Sequence, residues 1–150
     1  MTFKLSKRSR TNLVGVQPQL VAVVERAIQL TTVDFAVTEG LRTEAKQREL
    51  VAKGASQTMN SKHLTGHAVD LVAFIGGRIS WELNLYDEIA DAMRLAALEK
   101  NTGIRWGAAW NIPDIRHWSG TMEEAMRHYI DARRKLGQRP FIDAPHFELV

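Results

Sequence analysis

The residues best equipped for chemistry lie in two short stretches, "SKHLTGHAVD" at 61–70 and "IDAPHFEL" at 142–149. His63 and His67 stand four apart, which is the spacing of a zinc-binding helix of the H-E-x-x-H type. That reading fails twice. Leu64 sits where the glutamate base belongs, and Gly66 followed by the β-branched "AVDLVAF" argues against a continuous helix.

A second pairing keeps His63 and Asp70 and bends the chain at Gly66, since glycine tolerates backbone angles that other residues avoid. His63 then lies on a loop and Asp70 on a strand that begins near Ala68. His67 becomes a bystander or a supporting residue. An acid inside an otherwise apolar strand is costly to bury alone, which points to a metal or a cationic partner. A third ligand has to come from elsewhere, and in the second stretch Asp143 precedes His146 by three residues. Two histidines and one carboxylate leave a fourth zinc position for water, the requirement of a catalytic site. Asp143 is placed to orient or deprotonate that water.

Composition narrows the choice. The chain has no cysteine, so disulfides, thiolate metal sites and cysteine nucleophiles are excluded. A metal must then be held by His, Asp or Glu, which suits zinc or a harder divalent ion. A length of 150 residues predicts one domain, 1–150, with 45% apolar and 25% charged residues. No run approaches the roughly 18 consecutive apolar residues of a membrane span. The N-terminal "MTFKLSKRSRTNL" is basic but lacks the apolar centre of a secretory signal. Synthesis as a cytoplasmic protein is therefore expected, with release depending on something else. Net charge is +3 and the pI about 9.4, which favours a polyanionic partner. Without a helix-turn-helix, zinc-finger or RNA-binding signature, nucleic acid is not the expected one.

The elements that position these residues can also be read. "PQLVAVVERAIQL" (18–30) opens with proline and places Leu20, Val23, Val24, Ala27 and Ile28 on one stripe, which predicts a helix. A strand follows at 33–40, then a helix with Thr43 as N-cap and Gly54 as its stop. Residues 68–81 read as two strands joined through Gly76-Gly77. A helix covers 83–100 and is closed by Gly103, and "IRWG" is a brief strand. Thr121 and Glu124 form a capping box for a helix running to about Leu136. "HFELV" returns to the sheet. The fold class is α+β, with helices around a small, mostly antiparallel sheet.

On these residues the sequence resembles the zinc peptidases that include VanY-type D-alanyl-D-alanine carboxypeptidases, VanX-type dipeptidases and bacteriophage L-alanyl-D-glutamate endolysins. Their S-x-H-x-x-G-x-A-x-D motif matches at Ser61, His63, Gly66, Ala68 and Asp70. Their acid-x-x-His motif matches at Asp143 and His146, and their Gly-x-Arg-Thr/Ser turn at Gly40, Arg42 and Thr43. "RWGAAW" (105–110) is similar to the segment between the metal motifs. The resemblance implies a Hedgehog/DD-peptidase-like fold with zinc held by His63, Asp70 and His146. It implies Asp143 as general base and Arg42 in contact with substrate or the developing oxyanion. Ser61 would touch substrate or support the site. Arg42 could equally be a surface or helix-entry residue, and Ser61 a turn residue.

Asp rather than Glu at 143, the short chain and its end a few residues after His146 look most like the phage endolysins. The expected activity is hydrolysis of the L-alanyl-D-glutamate bond of bacterial peptidoglycan by a monomer. The enzyme would wait in the host cytoplasm until lysis, without stable membrane insertion. A D,D-carboxypeptidase and a non-catalytic zinc-containing wall-binding module are the alternatives. One departure stands out, since the capped helix between Trp110 and Asp143 is not expected in the shortest endolysins and leaves room for a differently shaped cleft. His117 and His128 fall outside every motif and are expected to be structural or exposed. Trp106 and Trp110 are expected in the core, and Glu148 is given no role.

Overall fold

A computed structural model describes residues 2–150. Its elements are α1 (Lys7–Asn12), α2 (Pro18–Leu30), β1 (Phe35–Glu39), α3 (Glu44–Ala52), β2 (Ala68–Ile75), β3 (Arg78–Ser80), α4 (Leu83–Glu99), β4 (Ile104–Trp106), α5 (Met122–Lys135) and β5 (His146–Leu149). Among the described residues, no helix is long and apolar enough to cross a membrane.

The sheet runs β1-β2-β5-β4, with β3 paired to the far end of β2, and every pairing is antiparallel. Alternation along β2 sorts its side chains. Val69, Leu71 and Ala73 enter the core with Phe35 and Val37 of β1 and Phe147 of β5. Asp70 is registered opposite His146, and Ala68 opposite Glu148, so these residues share the other face. Helix α4 covers the core face and packs on α2 and α5. The predicted stripe of α2 is buried in full.

A bulge in β1 helps build the site. Val37 pairs with Leu71 but Glu39 pairs with Asp70, so Thr38 is an extra residue. Without it Glu39 would face the core; with it Glu39 joins the Asp70 face.

Three expectations need correction. His63 lies in a 3-10 turn, Lys62–Thr65, rather than an irregular loop, because the Ser61 Oγ accepts the His63 N–H and starts a helical turn. Helix α4 ends before Gly103, as Asn101 takes the left-handed conformation at φ 51°. The short α1, which carries no apolar stripe, was not expected; its Ser6 cap starts it and Ser9 Oγ accepts the Val37 N–H of β1.

Candidate active site

His63, Asp70, Asp143, His146, Arg42 and Ser61 all line one open cleft of about 660 Å³. Their convergence starts with local turns. After the 3-10 turn, Gly66 adopts φ 72°, and a Cβ there would collide with the Gly15 carbonyl. That reversal sends the chain straight into β2. The His63 carbonyl accepts the Arg42 N–H at 2.9 Å, and His63 Nδ1 bonds the Gly40 carbonyl at 2.8 Å. The Gly40–Arg42 turn thus holds the imidazole from both sides.

The second loop is clamped by backbone. Asp143 N–H donates to the Gly107 carbonyl, Gly107 N–H to the His146 carbonyl, and His146 N–H to the Asp143 carbonyl, at 2.8, 2.8 and 3.0 Å. The buried Trp106 indole donates to the Ala144 carbonyl at 2.7 Å. A Cβ on Gly107 would collide with the Asp143 carbonyl oxygen, so only glycine permits this approach.

These constraints bring three donor atoms together. Asp70 Oδ1 lies 3.3 Å from His63 Nε2 and 3.4 Å from His146 Nδ1, and the three residues form a group that could hold a metal ion. His63 Nε2 and Asp70 Oδ1 are buried with no hydrogen-bond partner. Orphaned buried polar atoms are costly, and a divalent cation would satisfy both. Each imidazole also has its other nitrogen engaged: His63 Nδ1 by Gly40, and His146 Nε2 by Glu148 Oε1 at 2.7 Å. In the neutral rings those contacts leave Nε2 of His63 and Nδ1 of His146 with the lone pairs that metal binding needs. His67 is not among them; its ring turns to Thr65.

The electrostatics follow from this crowding. Burial alone would raise the Asp70 carboxyl, but His146 and His63 outweigh it and hold the group below the usual carboxylate range. Burial lowers His146, yet Asp70 and Glu148 push it up to about 9, so a metal bound at Nδ1 would have to displace a proton. Burial and the Asp70 charge push Asp143 above its ordinary value, against the pull of His146, His63 and Arg42. A carboxylate of raised pKa is the better proton acceptor.

Arg42 is held more firmly than expected. Its Nε donates to Glu39 at 2.6 Å and its Nη1 to the fully buried Gln47 at 2.7 Å, while Nη2 lies 3.8 Å from Asp70 Oδ2. The two Asp70 oxygens thus face different partners, the histidines and Arg42. Glu148, given no role from sequence, bonds His146 and lies 3.5 Å from Lys62 Nζ. Its place two residues after His146 on β5 puts it on the same face, and its carboxylate turns along the strand to the ring. Trp106 is in the core as expected. Trp110 is half-buried and forms a wall of the cleft, stacked on Phe141 at 6.2 Å and tilted over His146 at 5.4 Å. His117 and His128 are exposed.

The sequence profile of the phage L-alanyl-D-glutamate peptidases matches residues 1–150. The chain belongs to that family. It is 36% identical over 121 residues to the L-alanyl-D-glutamate peptidase of Escherichia phage T5, a match covering 78% of this chain and 88% of that protein. The L-alanyl-D-glutamate peptidase of Listeria phage A118 is 34% identical over 79 residues, covering 53% of this chain and 27% of that protein. The crystal structure of the Serratia marcescens L-Ala D-Glu endopeptidase ChiX superimposes with a TM-score of 0.73 at 39% identity, over 99% of this chain and 91% of that one. The vancomycin-resistance D,D-dipeptidase VanXYg, solved with a D-Ala-D-Ala phosphinate analog, shares the fold at TM-score 0.51 and 17% identity, over 90% of this chain and 50% of that one. As a member of this phage peptidase family, the chain is a peptidase, and it shares its α+β architecture with the ChiX endopeptidase.

Proposed function

We propose that residues 1–150 act as one catalytic domain, a zinc-dependent endopeptidase that cuts the L-alanyl-D-glutamate bond of the peptidoglycan stem peptide during phage-driven lysis of the host. The observation that carries this reading is the trio of His63, Asp70 and His146 donor atoms, two of them orphaned, in a chain of the phage peptidase family. A zinc ion held by these three side chains would supply Lewis acidity and bring the pKa of water from about 16 toward about 7.

The remaining chemistry falls to the chain's own groups. Asp143 accepts a proton from the attacking water and delivers it to the leaving nitrogen as the peptide C–N bond breaks. Arg42 has Glu39 and Gln47 to fix its plane, and its remaining N–H groups face the negative charge that develops on the carbonyl oxygen. Ser61 positions His63 by capping its turn. Glu148 holds the His146 ring from behind. The enzyme works on the wall after a separate factor has opened the way to it.

Digestion of purified sacculi followed by mass spectrometry of the new termini tests the reading. A free L-alanyl carboxyl paired with a free D-glutamyl amine is expected. Release of D-alanine alone would make the enzyme a carboxypeptidase, and an unchanged wall would leave only a binding module.

A further inference from the structure

A second groove, of about 340 Å³, lies beyond the wall of the cleft. Arg105 and Trp110 line both, so the two adjoin across that wall. The far side of the groove is the end of α5, with Tyr129, Ala132, Arg133 and Leu136. Its charge differs from that of the cleft. The cleft is lined by Glu39, Asp70, Asp143 and Glu148, whereas no residue lining the groove is acidic.

The groove is also rich in donors. Trp110 Nε1 and Arg133 Nε are buried without an acceptor. Arg133, Arg134, Lys135 and Arg139 fall within residues 132–142, where no acid occurs, and together exceed the chain's net charge of +3. Basic residues in a last helical turn ordinarily complement the helix dipole. Here Arg139 stands beyond Gly137, outside the helix, and Arg105 arrives from β4. Arg133 and Arg105 therefore bring cations from α5 and β4 to the groove itself, and Arg139, whose carbonyl accepts from Arg133 Nη2, lies beside it, which a dipole alone does not call for. Leu136, 72% exposed, adds an apolar edge.

We infer that this groove docks a second, carboxylate-bearing strand of the wall polymer while the scissile stem peptide lies in the cleft. The inference rests on the peptidoglycan reading above. On this view the 111–140 segment recognises polymer and takes no part in the cut. Charge complementarity selects an anionic partner, and the apolar edge beside the cations suits a peptide strand better than a bare phosphate chain.

The triple variant Arg134→Glu/Lys135→Glu/Arg139→Glu changes only exposed positions. Co-sedimentation with purified sacculi, stripped of teichoic acid, should weaken about tenfold or more at low salt, and the loss should vanish near 0.5 M salt, about three times the physiological ionic strength. Cleavage of sacculi should fall in parallel, through KM, while kcat/KM on a soluble L-Ala-D-Glu tetrapeptide stays within about twofold. Leu136→Glu, which places a negative charge at the groove mouth, should reproduce the binding loss.

Unchanged sedimentation of the triple variant would overturn the inference, and so would equal losses on polymer and tetrapeptide. Loss in the triple variant with full binding by Leu136→Glu would overturn the groove assignment. Wild-type preference for duplex DNA over sacculi, abolished by the triple change, would make the surface a nucleic-acid site instead. If wild type cuts neither substrate, the failure belongs to the proposed reaction, and sedimentation still decides the docking.

Discussion

Asp143 and Glu148 flank His146 on one short stretch, yet their environments assign them opposite roles. Asp143 is pushed up by burial and by Asp70, which keeps it basic; Glu148 would be raised by burial, but His146 and Lys62 hold it down as a fixed anion. Asp143→Asn should therefore lose about 10²–10⁴ in kcat while metal content, measured by atomic emission, stays at the wild-type level. Turnover within a few-fold of wild type would place the base elsewhere. Glu148→Ala should act differently, weakening metal affinity about 10–100-fold in competition with a chromogenic chelator. Glu148→Gln should recover part of that affinity, because an amide oxygen still accepts the His146 Nε2–H. Equal affinity in all three proteins would leave Glu148 without a part in metal binding. The convergence of His63, Asp70, His146 and Asp143 on one cleft was legible from spacing and motif, since a glycine bend and a strand have short-range signatures. Glu148 was not, because alternation along β5 puts it on the His146 face without saying that its carboxylate turns to the imidazole, at 2.7 Å.

Between helices α4 and α5 a different carboxylate tests the packing. Asp87 is 6% exposed, and burial, together with the charges of Glu123, Glu88 and Asp91, pushes it up to about 6. A carboxyl whose pKa is higher folded than unfolded stabilises the fold below its unfolded value near 4, and that contribution disappears as pH rises through about 6. Asp87→Asn should thus add about 1–2 kcal/mol at pH 7.5 and almost nothing at pH 4, read from urea denaturation at both values. A gain that is larger at pH 4 would show that the charge is compensated. Most helices were readable at this scale because their caps and apolar stripes are local, as Thr121–Glu124 and the α2 stripe show. The bulge at Thr38 was hidden, since it depends on how β1 meets β2 and not on any residue of β1 itself.

Across the whole molecule, the proposed ligand set joins a turn at 63, a strand at 70 and a strand at 146. A cation at that junction binds only the folded chain, because in the unfolded one these side chains are far apart. Metal binding then adds stability by mass action, about 4 kcal/mol when free metal is a thousand times its dissociation constant. For a chain of this size that corresponds to a Tm rise of about 8–16 °C at about 2–4 °C per kcal/mol. Removing the metal with a chelator should lower Tm by that amount, and zinc should restore it; calcium, which prefers six or more oxygen ligands, should not. His63→Ala and His146→Ala should each abolish the zinc-dependent rise, whereas His67→Ala should keep it, because the His67 ring turns to Thr65 and not to the ligand cluster. Loss of the rise in both His63→Ala and His67→Ala, with retention in His146→Ala, would overturn the ligand assignment and return the four-residue histidine pair to the centre of the site.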